Sequence, residues 1–466
     1  MAELSSRTSS AADPGTHPVD EMLPKGRLLL YGMQHLLTFY ATIVVLPAII
    51  AAGIGLSERE TAVLLSAVVF TGGIGTLIQS IGLWRIGIRY PLVLGGSAVA
   101  LGPTIAIGNA QGGGVGGLLT IYGAVIVAGL VLFAIAPLYG RLLRFFPPVV
   151  TGAIITMVGF SILPYGVSLA GGGDPTAPTF GSPENLAIAG ATLLTVVVLY
   201  RISTGLLKNI AMLLGLVVGG ALGVVLGVVD FSGAAAAGWF DVIGPFHFGW
   251  PRFDVSAIIV MSIAMLIIAV ESTASFFAVG EIVGRAPGSR DISRGVLGEG
   301  LATVLGGVFN SIPPTTFTGN VGLVRASNVR SRWVCATAGV FMLLLACLPK
   351  VAAVAAALPK PAVGAALLVL FGIIATIGVQ TLSRADLTKD GNLITIAVSF
   401  GAGSIPAAQP TFFQSFPEEL QMVLGSGIVV TAVVAIALNV LFNHVGSRSP
   451  KKAAEPGPEG PSHAVT

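Results

Sequence analysis

At 466 residues, 54% hydrophobic and only 10% charged, with a mean hydropathy of +0.90, the chain has fewer than half the charges of an average soluble domain, about 25%. Its 24 basic and 21 acidic residues cannot clothe a soluble protein of this size, and a net charge of +3 without basic clusters offers nothing to a polyanion. A cytosolic enzyme, a nucleic-acid binder and a disordered chain are excluded, and the composition specifies an all-α polytopic membrane protein.

Residues 1–26 contain Ser, Asp and Pro and have no apolar core before a small-residue cleavage site, so they read as a cytoplasmic tail and not a signal peptide. A membrane span needs roughly 20 mostly apolar residues. Full-length candidates run at 28–52, 62–84, 118–139, 148–170, 184–200, 209–230, 254–283, 333–357, 361–382 and 420–443. Shorter or more polar candidates lie at 91–108, 295–311, 314–327 and 391–407, which brings the expected total to fourteen. These fall into two sets of seven, 27–232 and 253–443, followed by a cytoplasmic tail at 444–466.

The charges agree with this count. With the N-terminus in the cytoplasm, alternating spans bring Arg85 and Arg89, Arg141 and Arg144, Arg201 and Lys208, Arg285, Arg290 and Arg294, Arg325, Arg330 and Arg332, and Arg384 with Lys389 inside. The tails add Arg7, Lys25, Arg27, Arg448, Lys451 and Lys452, so of the 24 basic residues only Arg59, Arg252, Lys350 and Lys360 fall outside. The positive-inside rule then specifies a multi-pass protein of the plasma or inner membrane with both termini cytoplasmic.

The third and tenth candidates are short and interrupted. Tyr90-Pro91-Leu92-Val93-Leu94-Gly95-Gly96-Ser97 and Pro313-Pro314-Thr315-Thr316-Phe317-Thr318-Gly319-Asn320-Val321-Gly322 each carry proline, glycines and hydroxyls where membrane depth is expected. Irregular backbone cannot face lipid, so it faces protein or a wet cavity. Paired interrupted segments seven spans apart point to a transport site between inverted repeats.

Polar side chains at membrane depth are few. Glu271 lies deep in the eighth span, where a carboxylate costs several kcal/mol unless it is paired, solvated or protonated. Glu299 sits in the Gly-rich ninth span, Glu281 nearer a helix end, and His35 alone among the five histidines in a membrane core. Asn320, in the broken tenth segment, is placed to bond unwound backbone. Cys335 and Cys347 share one apolar run and read as small core residues. No HExxH or other metal-ligand pattern is present, so no metal is expected. Gly112-Gly113-Gly114-Val115-Gly116-Gly117 satisfies GxGxxG without a βαβ context and reads as a linker.

Across residues 27–443 the sequence resembles the nucleobase–ascorbate transporters, also called nucleobase–cation symporter 2, which include uracil and xanthine permeases. The resemblance rests on Gln34-His35, Leu94-Gly95-Gly96-Ser97, Phe146-Pro147-Pro148, Val270-Glu271-Ser272-Thr273, Glu299-Gly300-Leu301 and Gly319-Asn320-Val321-Gly322. It implies fourteen helices in two inverted sets of seven, a core and a gate domain, a homodimer, and a base held between the third, eighth and tenth spans. Residue by residue, it implies that Glu271 is the substrate-binding carboxylate, Glu299 the ninth-span acid of the purine branch and Asn320 the signature asparagine. It also implies that Ala98 lies where backbone meets the base.

One carboxylate can accept two adjacent ring N–H donors in charge-assisted hydrogen bonds, and Phe276, Phe277 or Phe317 would supply an apolar face. Where the family has Gln or Glu before the asparagine this chain has Gly319, and Ser327 and Asn328 close the motif differently. Ser275 stands where uracil permeases tend to have histidine, and Glu271-Ser272-Thr273 is nearer the purine branch. The expected activity is proton-coupled, elevator-like import of a nucleobase, most plausibly a purine such as xanthine or urate, with Glu271, Glu299 and His35 as coupling residues and no cofactor beyond the proton gradient. The alternatives are a uracil or pyrimidine permease and, less favoured, a sulfate-permease-like anion transporter, which Glu271 would oppose. No nucleophile–base pair suggests an intramembrane enzyme.

Overall fold

A computed structural model describes residues 17–443; residues 1–16 and 444–466, with Arg7, Arg448, Lys451 and Lys452, lie outside the described residues. The helices of ten or more residues, in chain order, are α1 (Lys25–Ile54), α2 (Glu58–Ile81), α3 (Leu101–Ala110), α4 (Gly114–Ile135), α5 (Pro148–Ala170), α6 (Pro183–Ile202), α7 (Ala211–Val225), α8 (Val255–Val283), α9 (Ser289–Val308), α10 (Thr318–Ser327), α11 (Arg332–Ala346), α12 (Lys360–Leu382), α13 (Asp390–Ala408) and α14 (Gly427–Asn443). Two short strands, β1 (Leu94–Gly96) and β2 (Pro314–Thr316), precede α3 and α10.

Among the described residues, eight helices are long and apolar enough to cross a membrane: α1, α2, α4, α5, α6, α8, α12 and α13. A ninth span arises if α11 is joined to Pro349–Ala356, a pair bent by 82°. The sequence led us to expect one straight segment at 333–357, but the chain turns at Cys347 and Leu348, and Pro349 begins the second arm. The segment expected at 420–443 is also divided, into Glu418–Leu424 and α14. The helix α9 is long enough but carries Arg290, Asp291, Arg294 and Glu299, which lower its hydropathy.

The helices pack in two groups. In one, α5 and α12 lie along each other, flanked by α6, α7, α13 and α14; in the other, α1, α2, α4, α8, α9 and α11 surround the two strands and the short helices α3 and α10. The pairings recur at a spacing of seven helices. As α4 lies on α9, so α11 lies on α2; as α6 lies on α7, so α13 lies on α14; as α1 lies on α11, so α8 lies on α4.

Where the third and tenth segments break, β1 and β2 pair antiparallel, Leu94 with Thr316 and Gly96 with Pro314. Their remaining backbone groups are satisfied by neighbours. Leu94 N donates to Thr76 Oγ1 at 2.9 Å, Ser80 Oγ to Leu92 O at 3.1 Å, Phe317 N to Val93 O at 2.9 Å and Thr316 N to Ser272 Oγ at 3.2 Å. This accounting lets extended backbone sit inside a helical protein. Glycine is needed in β1 because a Cβ on Gly95 would run into the Phe39 ring, and one on Gly96 would come 2.8 Å from Ile312 Cδ1.

Residues 17–24, which composition assigns to a tail, are anchored to the helices at Val19 and Asp20. Val19 is fully buried among Ile88, Tyr90, Leu92 and Val283. Arg332 donates to Asp20 Oδ1 at 2.7 Å and to the carbonyls of Ser80 and Ile81 at 2.9 Å, while Trp333 Nε1 donates to Asp20 O at 3.2 Å. The same end of the molecule holds Arg285, 3.8 Å from Asp20. The opposite end holds Arg59 and the Lys350–Trp239 stack.

Candidate functional site

The two strands put hydroxyls between two carboxylates. Ser272, on α8, lies 3.1 Å from Thr315 Oγ1 and accepts the Thr316 N–H. Thr316 Oγ1 donates to Glu299 Oε1 of α9 at 3.4 Å, and Thr303 Oγ1 bonds the Glu299 carbonyl at 2.8 Å. Glu299 is fully buried, and its Oε2 has no partner among the described residues. Glu271 precedes Ser272 and is half-buried; its Oε2 is enclosed and likewise unpartnered. The two carboxylates are near enough to interact electrostatically. An unpaired buried carboxylate is costly, so each oxygen is a vacancy for a proton or a hydrogen-bond donor.

Asn320 joins the two broken segments. Its Nδ2 donates to Pro91 O at 2.8 Å, and its amide faces Cys335 Sγ at 4.0 Å. His35, on α1, lies beside this amide and is buried, with Nδ1 enclosed and unpartnered among the described residues. Ala98 is half-buried between β1 and α3. Phe317 precedes α10, whose first turn has no side-chain cap, and its ring centroid lies 4.7 Å from that of Phe39. Gly319 is exposed, and a Cβ there would come 2.5 Å from Phe317 Cε1 and Cζ. The Phe317 ring thus occupies the room beside position 319.

The other candidate residues lie less centrally. Ser275 is buried one turn after Glu271. Phe276 is fully buried against Gly295 of α9 within an apolar cluster that includes Val279 and Ala302, so it belongs to the packing of α8 on α9 and not to the surface beside Glu271. Phe277 is 48% exposed. With Ala274 and Glu281 it forms an open stripe on α8, matched on α10 by Thr318, Gly319 and Gly322, both running toward the Arg332 end. Sequence reasoning singled out neither Ser272 nor Thr316 as a site residue, although the run of hydroxyls after Pro313 was the signal available.

Two larger cavities lie away from the carboxylates. One of about 820 Å³ is bounded by Ser57–Arg59, residues 233–247 and the bend after α11; another of about 620 Å³ lies between α3, the start of α8, and α5, α13 and α14. The carboxylate pair, with its charge, orphaned oxygens and broken backbone, is the better candidate for chemistry.

Comparison with known proteins shows the family of the chain. The Xan_ur_permease model, described as "Permease family", matches residues 26–412. The chain belongs to this family of nucleobase–ascorbate transporters. Among its relatives, the permease is 41% identical to the uric acid transporter UacT of Escherichia coli (strain K12), over 94% of this chain and 90% of that protein. It is 38% identical to the nucleobase transporter PlUacP of Paenibacillus larvae, over 90% of this chain and 95% of that protein, and 36% identical to the xanthine permease of Bacillus subtilis (strain 168), over 90% and 94%. Two solved structures resemble its fold at 15% identity. The transmembrane domain of the cyanobacterial bicarbonate transporter BicA has a TM-score of 0.55, covering 90% of this chain and 99% of that one, and SLC26A9 has 0.61, covering 90% and 66%. At that identity they speak for fold alone. The permease is a membrane transporter of the nucleobase class and not an enzyme.

Proposed function

We propose that this permease imports an oxidised purine, of the urate or xanthine kind, together with a proton. The observation that carries the reading is the Glu271 carboxylate, whose enclosed Oε2 has no partner among the described residues, beside the paired antiparallel strands and the uncapped start of α10. Adjacent N–H groups of a dioxopurine fit one carboxylate as paired charge-assisted bonds, and free N–H groups at a helix start suit a ring carbonyl. Glu299, held through Thr316 to the same strand, is the group whose protonation would be felt at Glu271. His35 acts on this coupling through Asn320, which ties α10 to Pro91. The names of the uric acid and xanthine relatives support a purine over uracil.

The architecture we propose is fourteen membrane segments in two inverted sets of seven, supported by helix pairings that recur seven elements apart. The group around β1 and β2 is the core domain, and the α5–α7 and α12–α14 group is the gate past which it slides. The Arg332 end faces the cytoplasm, in keeping with the basic residues gathered there, and the permease works as a dimer in the plasma or inner membrane.

The test is uptake of radiolabelled urate, xanthine, hypoxanthine, adenine, guanine and uracil by cells lacking their own base permeases, with and without a protonophore. Urate or xanthine should accumulate, and the protonophore should abolish accumulation. Glu271→Gln should lose most uptake at normal membrane abundance, and Glu299→Gln should flatten the pH profile more than it weakens binding. Uracil uptake alone, or normal uptake by Glu271→Gln, would overturn the assignment.

A further inference from the structure

Just after Ala98 and the turn that follows it, one face of α3 runs through Gly102, Ile105, Ala106 and Asn109, residues three or four apart along the helix. Its lower end adjoins the strands beside Glu271. Its upper part lines the cavity of about 620 Å³, at the end opposite Arg332. A volume of this order is in the range of small-molecule sites. The cavity lies between the two helix groups, along the side of α3 that runs down to the strands.

The lining is chemically specific. Ser161 Oγ, on α5, is enclosed and has no partner among the described residues, although it borders the cavity. Tyr165 stands one turn further along α5 and offers both a ring face and a hydroxyl. Gln421 spends both amide hydrogens on the carbonyls of Gln414 and Phe416, at 3.1 and 2.6 Å, which leaves its oxygen as an acceptor. Asp254 caps α8 through Oδ1, accepting from Ala257 N at 2.8 Å, and its second oxygen remains. Asn109 is exposed on the α3 side. Acceptors for ring N–H groups, donors for ring carbonyls and an aromatic face thus surround one space.

We propose that this cavity is a second purine site, a vestibule that takes up the planar base before it reaches Glu271. The inference rests on the purine reading above and adds to it a place on the path and the residues that select there. Selection at the vestibule would act on the entering base before the carboxylate does. The two sites share no side chain, so each is expected to fill without the other.

The experiment places a reporter at the rim. Ala110, the last residue of α3, lines the cavity without offering a side-chain hydrogen bond. In cells expressing the full chain with Ala110→Cys and the half-buried Cys347 replaced by alanine, a membrane-impermeant maleimide applied outside should label the new thiol, and added urate should slow that labelling several-fold. The slowing should persist when Glu271→Gln is added. Tyr165→Phe and Asn109→Leu should each raise the urate concentration that half-protects by about fivefold, the loss of one net hydrogen bond; surface abundance is followed in parallel. Protection that disappears with Glu271→Gln would overturn the proposal, since the cavity would then only register occupation of the deeper site. Unprotected labelling in cells that accumulate urate would overturn the vestibule and leave the transport reading standing. If the intact chain accumulates no purine, the transport reading fails, and this one with it.

Discussion

At the scale of single residues, Gly319 is the departure from the family pattern whose effect on the base can be tested. The family pattern has a long polar side chain there, whereas this permease has a hydrogen atom and a neighbouring ring. A Cβ at 319 would meet Phe317 Cε1 and Cζ at 2.5 Å, so a larger residue must push the ring aside. The ring is itself held by Phe39 at 4.7 Å. Gly319→Gln should therefore change two things together, adding an amide to the pocket and displacing its aromatic wall. The ratio of urate to xanthine uptake should move by about tenfold, the order expected when one polar contact to the substrate is made or lost. Phe317→Ala combined with Gly319→Gln should relieve the crowding and restore the membrane abundance of any poorly folded single variant. An unchanged substrate ratio in a well-expressed Gly319→Gln protein would show that position 319 does not face the base.

At the scale of elements, the antiparallel pair β1–β2 is the feature on which the site hangs, and Gly95 is its tightest point. The Phe39 ring lies where a Cβ would be, so Gly95→Ala cannot be accommodated without moving that buried ring, α1 or the strand. Gly95→Ala should abolish uptake and lower the thermal midpoint in detergent, and Phe39→Ala in the same chain should recover part of both. Failure of the double variant to recover either would mean that the glycine serves the base and not the ring. The sequence made the interruption legible, because Pro91, Gly95, Gly96, Pro313 and Pro314 crowd helix-weakening residues into two short segments. It did not make the pairing legible. Leu94 meets Thr316 across more than two hundred residues, and nothing local in either segment names its partner. The same reasoning applies to Phe276. The sequence places it one turn beyond Ser272 but does not say that this side of α8 faces Gly295 of α9. Glu271 and Glu299 were legible because a carboxylate is rare at membrane depth, while the hydroxyls that connect them are ordinary residues whose role appears only when α8, α9 and β2 meet.

At the scale of the whole molecule, the question is whether the two helix groups move against each other. Each is tightly knit within itself: α5 lies along α12 in one, and α2 with α11 and α4 with α9 in the other. The core group is further fastened at the Arg332 end, where Asp20 and Val19 bind the ends of α2, α8 and α11 together. Contacts between the groups are sparser and small-residued along α3. Gly102 faces α14, and a Cβ there would lie 3.5 Å from Ile428 Cδ1 and 3.9 Å from Ser426 Oγ. Side chains at 102 and 426 are therefore neighbours, and a disulfide between them is the bond to test. Gly102→Cys with Ser426→Cys should therefore cross-link under mild oxidation, in a chain whose own Cys335 is buried and whose half-buried Cys347 is replaced by alanine. If the core slides past the gate, the cross-linked protein should lose uptake almost completely, and a reductant should restore it to the level of the unoxidised double variant. Purine should still bind the trapped protein at whichever end remains open, which separates a locked carrier from an unfolded one. Full uptake with the disulfide formed in nearly every molecule would mean that α3 and α14 stay together through the cycle, and the alternation would have to be sought within the core group, between the open stripes of α8 and α10 and the strands beside Glu271.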